Sequence, residues 1–273
     1  MSPPPFPTKR MLGIDFFVGT AAEAIAHISK YGGLIVAPAA PSFIALRDDS
    51  DYRRAIADAD LAIADSGWAV LFWRLLRREK LSRISGLALF KVLLETADAR
   101  IPGNLFWILP SEKAKTKTLE FARSSGYPTT ADDCYVAPKY FSCSHGSVSR
   151  EERERVSQKR GYSIADDALV AILQSRKPKH IIIGIGGGMQ DKLGSYLKHE
   201  LSYRPGIYCI GAAPGFVTGD QIIIPMWADR FFVGWIFRII GRPRHYLIRY
   251  WKARLLPLLI IKYGTRIPQL RPS

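Results

Sequence analysis

Between residues 12 and 220, short apolar runs alternate with longer stretches whose apolar positions recur three or four apart. The runs at 12–17, 34–36, 61–64, 104–109, 135–137, 180–185 and 207–210 predict strands. The stretches at 21–30, 52–58, 68–77, 87–99, 112–124, 151–159, 165–176 and 190–201 predict helices. Ser149 with Glu152, and Ser163 with Asp166, have the spacing at which a side-chain oxygen meets an orphan amide at a helix start. The runs IIIGIG and NLFWIL are apolar without alternation, as strands covered on both faces can be. Strand and helix in turn predict a Rossmann-like α/β fold, a mostly parallel sheet with helices on both faces. Such sheets bind ligands beyond the carboxyl ends of their strands. Chemistry is therefore expected at Asp65, at Pro110, at 184–188 and at 211–215, with the loop 138–149 nearby.

Composition narrows the class. With 273 residues, 48% hydrophobic and 23% charged, the chain can bury a substantial core, which excludes wholesale disorder. Three cysteines, Cys134, Cys143 and Cys209, do not make the framework of a disulfide-rich secreted domain, so a reducing compartment is expected. The apolar run at 255–261 is seven residues and contains Pro257. A bilayer span needs about 20, so neither a transmembrane anchor nor secretion is expected.

The net charge of +15 is unevenly placed. Residues 221–273 hold ten basic side chains and one acid, Asp229, together with Trp227, Trp235 and Trp251. This divides the chain into an α/β domain at 1–220 and a helical, basic and aromatic C-terminal appendage at 221–273. An anionic lipid surface, nucleic acid phosphates, or a plain helix pair with core aromatics would each suit such a tail. Bulky apolar residues among the cations favour the bilayer over nucleic acid.

Three constellations carry candidate chemistry. In HIIIGIGGGMQDKLG a strand, a glycine turn and a helix follow one another, and Gly184, Gly186 and Gly187 would let the backbone approach a phosphate. A tight structural turn explains the same residues. Met189 stands where a dinucleotide fingerprint needs its third glycine, and the Lys-Ser/Thr ending of a P-loop is absent. Asp65, between a buried strand and a helix, either caps that helix through the Ser66 and Gly67 amides or faces the cleft as a general base. Arg83, in SRISG, either meets a phosphate or carboxylate or forms a surface ion pair. Cys143 and His145 lack a second pair at ligand spacing, so no metal is expected.

The order ADLAIADSGWAVLFWRLL, RISG, IIIGIGGGMQDK, CIGAAPGFVTG and IIPMWADRFFVGWIFRIIGRPRHYLIRY resembles the WecG/TagA/CpsF family of bacterial glycosyltransferases, from about residue 13 to 251. The resemblance implies transfer of a sugar from a UDP-sugar, an N-acetylhexosamine or related hexose, to a polyprenyl-diphosphate-linked acceptor. It implies inversion at the anomeric carbon, no metal and no cofactor, and a peripheral position at the cytoplasmic face of the inner membrane. It assigns Asp65 as base, Arg83 and Gln190 to the catalytic cleft, and Gly184, Gly186, Gly187 and Gly211 to the donor. Trp235, Arg238, Arg242 and Arg249 fall in the segment that docks on the membrane and completes the site. Nucleic acid is not an expected partner, whereas a homo-oligomer is compatible. Where the family usually reads Thr-Pro-Asn, this chain reads Ala37-Pro38-Ala39. Ala88, Gly188-Met189 and Gly234 are further departures. A catalytically degenerate, nucleotide-sugar-binding scaffold subunit is the alternative these departures raise.

Overall fold

The computed structural model describes residues 6–138, 140, 164–219, 251 and 253–271. One sheet contains β1 (Thr8–Met11), β2 (Ile14–Phe17), β3 (Gly33–Val36), β4 (Leu61–Ala62), β5 (Leu105–Leu109), β6 (Cys134–Val136), β7 (His180–Ile183) and β8 (Gly206–Cys209). Their order is β1-β2-β4-β3-β8-β7-β5-β6. Every neighbouring pair is parallel except β1 with β2. The described helices are α1 (Ala21–Tyr31), α2 (Ala40–Ala45), α3 (Ser50–Ala57), α4 (Gly67–Arg77), α5 (Gly86–Glu95), α6 (Glu112–Ser124), α7 (Asp167–Arg176), α8 (Met189–Glu200), α9 (Ala213–Val217) and α10 (Leu256–Tyr263). The chain is thus an α/β protein with a mostly parallel sheet.

Strands β3, β5, β7 and β8 are buried at every position, which accounts for their unbroken apolar runs. On one face, α1 and α5 bring Ile25, Ile28, Leu89 and Phe90 onto Trp107 and Tyr208. On the other, α3 and α8 contribute Tyr52, Ile56, Leu193 and Leu197. The single strand expected at 12–17 is instead a hairpin. Leu12 and Gly13 have φ of 51° and 81°, a pair of positive values that fits a two-residue turn matched to strand twist. Strand β1 escaped the apolar reading because it is a polar edge strand with only Met11 buried.

Helix α7 starts one turn differently from expectation. Asp166 is itself the N-cap, accepting from the Leu169 amide at 2.9 Å, rather than the third residue of a box opened by Ser163. Ser163, the Ser149–Glu152 pair and the predicted helix 151–159 lie outside the described residues.

The C-terminal segment is fastened to the sheet domain. Leu12 and Gly13 donate their amides to the carbonyls of Gly264 and Thr265, at 2.9 and 3.0 Å. A Cβ on Gly13 would meet Ile267 Cβ at 2.4 Å, so glycine is needed for this closeness. Ala253, Leu256 and Ile260 are fully buried, and α10 packs against α4 and α2. Ala253, Leu256, Leu259, Ile260 and Tyr263 thus belong to the same hydrophobic core as the sheet. Residues 220–250, with Trp235, Arg238, Arg242 and Arg249, lie outside the described residues.

Candidate active site

Strands β3 and β8 are central neighbours, flanked by β4 and β7. Their common direction delivers Ala37, Asp65, Gly184 and Gly211 to one edge of the sheet. Asp65 does not cap the helix that follows it, because Ser66 does so through the Ala69 amide at 3.3 Å. Its Oδ1 instead accepts from the amide of Gly86, the first residue of α5, at 2.9 Å. Its carbonyl accepts from Arg83 Nε at 3.1 Å. The carboxylate is half-buried and rests on a helix N-terminus, where the backbone dipole favours negative charge.

Gly86 joins this corner to the centre of the sheet. A Cβ there would lie 2.9 Å from the Ile210 carbonyl oxygen, so only glycine lets α5 begin against the end of β8. Across the edge, Gln190 is buried and its Oε1 accepts from the Gly211 amide at 2.8 Å. The next residue, Asp191, is also buried and accepts from the Gly188 amide through Oδ2 at 3.0 Å. Burial pushes the Asp191 carboxyl up to about 6 despite that donated hydrogen bond. Two consecutive side chains of α8 thus clamp the turns after β7 and β8.

Those turns are open on their outer side. Gly186, Gly188 and Gly211 have φ of 106°, 91° and 66°, and nothing lies within 4 Å of where a Cβ would stand. Gly187 is exposed, while Gly184 packs normally near the Ile108 carbonyl. The amides of Gly188 and Gln190 are engaged inside the turn, by Asp191 and by the Gly186 carbonyl. On the β3 side, Ala39 occupies the N-cap of α2 with no side-chain hydrogen bond.

The structure thus gathers Asp65, Arg83, Gln190, Gly184, Gly186, Gly187 and Gly211 at one edge. Asp65, Gly86, Ile210, Gly211 and Gln190 form a continuous line of contacts across it. Cys143 and His145 lie outside the described residues. Among the described residues no group of three or more His, Cys, Asp or Glu is arranged to hold a metal ion. Sequence reasoning passed over Gly86 and Asp191. The three-residue step from Gly188 to Asp191 was a readable capping signal, whereas nothing local marks Gly86 as a neighbour of Ile210.

Fold and edge define a class: an α/β protein whose mostly parallel sheet has the edge at which such folds bind ligands, the carboxyl ends of its strands. The family model of the glycosyl transferase WecG/TagA/CpsF family matches residues 9–269, and the chain belongs to this glycosyltransferase family. No curated protein matches the chain.

Proposed function

We propose that the protein is a metal-independent, inverting glycosyltransferase of cell-surface polysaccharide synthesis. It moves a sugar, an N-acetylhexosamine or related hexose, from a UDP-sugar to a polyprenyl-diphosphate-linked acceptor, as a peripheral protein at the cytoplasmic face of the bacterial inner membrane. The observation that supports this most is the Asp65 carboxylate, held by the Gly86 amide beside Arg83 at the ligand edge. The acceptor hydroxyl oxygen bonds to the anomeric carbon as the bond from that carbon to the UDP phosphate breaks. The hydroxyl proton passes to Asp65, and the charge left on UDP is met by Arg83 and the open glycine turns. The Gly86 amide orients the carboxylate without neutralising it, which suits a base.

The test is turnover with a panel of UDP-sugars and a short-chain polyprenyl-diphosphate sugar, alongside thermal shift with UDP. Transfer with inverted product, abolished in Asp65→Asn, supports the reading. Turnover unchanged in Asp65→Asn removes the base. Ala37 and Ala39 favour one second reading, a scaffold that binds nucleotide-sugar without transferring it. A UDP-dependent thermal shift with no product across the panel would decide for it.

A further inference from the structure

Ten large apolar side chains stand exposed among the described residues, and eight of them lie on α4 or within 251–271. These two elements are neighbours, since α10 packs against α4. Leu75 is 65% exposed on one, Leu258 and Ile261 are 62% and 59% exposed on the other, and Trp251, five residues before α10, is 66% exposed. Each helix already buries its opposite side, Val70 and Trp73 on α4, Leu256 and Ile260 on α10. The outward apolar side chains are therefore in excess of what the core requires, and their concentration on two neighbouring elements marks a contact surface.

Its charge says what it contacts. Residues 67–80 carry Arg74, Arg77, Arg78 and Lys80 against Glu79 alone, and 251–271 carry five basic residues and no acid. The Arg254 guanidinium sits 3.7 Å from the centroid of the Trp251 ring, so a cation and an indole are presented together. Nucleic acid would neutralise the cations and leave the leucines wet. A second copy of the same face would bring like charges together. An anionic bilayer satisfies both sets, with apolar side chains below the headgroups and guanidinium groups among them.

We propose that the outward face of α4 and α10 seats the protein on anionic phospholipid, independently of residues 220–250. Helix α4 begins directly after Asp65 and Ser66. At the helical rise, Leu71 and Leu75 stand about 9 and 15 Å along its axis from Asp65. The seat thus holds the base within a short helix of the headgroups, where a lipid-linked diphosphate acceptor emerges. This last consequence rests on the glycosyltransferase reading, whereas the seat itself does not.

The experiment is co-sedimentation of the full chain with vesicles of equal phosphatidylglycerol and phosphatidylcholine, and with phosphatidylcholine alone. The wild type should bind the anionic vesicles at least tenfold better. L75E/L258E/I261E should lose at least tenfold of that binding, while I101E/I172E, carrying the two exposed apolar residues elsewhere, should match wild type. R74Q/R78Q, which touches no apolar side chain, should also weaken binding and serves if the triple variant does not fold. The triple variant should keep turnover on a water-soluble acceptor and lose it on a vesicle-borne one. Unchanged vesicle binding in both face variants overturns the seat and leaves the transferase reading intact. A wild-type dimer that the triple variant splits, or faster cleavage within 220–250, each with vesicle binding unchanged, assigns the face to a second copy or to that segment and overturns it. The expected vesicle pattern with no turnover on either acceptor overturns the transferase reading alone.

Discussion

The two edges of the sheet handle their acids differently. At the amino-terminal edge, carboxylates meet cations: Asp60, which also accepts from the Leu34 amide at 2.8 Å, with Arg204 at 2.8 Å and Lys198 at 3.1 Å, and Asp98 with Lys179 at 2.6 Å. At the carboxyl edge, Asp65 and Asp191 meet the amides of Gly86 and Gly188. Among the described residues neither of these two forms an ion pair. A cation fixes an acid as a charged structural partner. An amide fixes its geometry while leaving the charge to whatever ligand arrives. The same residue type is therefore tied into ion pairs at one edge and, on the proposed mechanism, left to accept a proton at the other.

The strongest way to break this contrast is one matched pair of substitutions. Asp65→Asn keeps an acceptor for the Gly86 amide and removes the proposed base, so turnover should fall about a hundred- to ten-thousand-fold with the melting temperature nearly unchanged. Asp60→Asn should do the reverse, lowering the melting temperature while turnover per folded molecule stays constant. Steady-state kinetics beside thermal melts read both. If Asp65→Asn unfolds the protein and Asp60→Asn silences it, the roles of the edges are exchanged.

The second test uses pH. Burial holds the Asp191 carboxyl up to about 6 from 3.8, so the native state binds the extra proton between those values. Stability from this group therefore falls as pH rises from about 4 to 6. Buried His180, at the other edge, is pushed down from 6.5 to about 4, so there the unfolded state binds the extra proton and stability rises with pH over the same interval. The two slopes offset each other in the wild type. Asp191→Asn should therefore stabilise the protein by about 2 to 3 kcal/mol at pH 7, with the gain vanishing below pH 4 and a steeper rise with pH remaining. Urea unfolding at a series of pH values measures it. An equal shift at every pH would mean that Asp191 does not titrate in this range.

The third test concerns the link between the corner and the centre. Gly86→Ala places a methyl 2.9 Å from the Ile210 carbonyl. Displacing backbone there should cost about 1 to 3 kcal/mol and reduce turnover by separating Asp65 from the Gly211 turn. A variant crystal structure that shows α5 unmoved would dissolve the proposed line of contacts.

Much of this arrangement is legible in the sequence. Fully buried strands such as β5 and β7 show themselves by apolar runs without alternation, and a residue after such a strand, like Asp65, is placed at the ligand edge by topology alone. What was not legible is contact between distant segments. Gly86 and Ile210 are 124 positions apart, and nothing near either of them in the chain points to the other. The short helix α2 escaped for a different reason: Ala39 supplies no capping side chain and its six residues show no full period. In the C-terminal segment, buried Leu256, Leu259, Ile260 and Tyr263 carry the spacing of a one-sided helix, but its partner α4 lies far back in the chain. The flanking cations drew attention to the surface first.

That bare cap offers the smallest and most discriminating test. Ala39 has the extended φ and ψ of an N-cap, −82° and 164°, yet gives α2 no side-chain acceptor. Ala39→Asn should add one, worth about 1 kcal/mol, seen as a rise of about 2 to 4 °C in melting temperature. Asparagine is also what the family usually carries there, at the edge where Asp65 lies. A rise in melting temperature alone confines the asparagine to capping and leaves the present site complete without it. A rise in turnover as well, larger in A37T/A39N than in the single variant, gives that corner of the edge a second task of holding substrate. The wild type would then be a weakened transferase, and the scaffold reading would be the end of that path rather than a different protein.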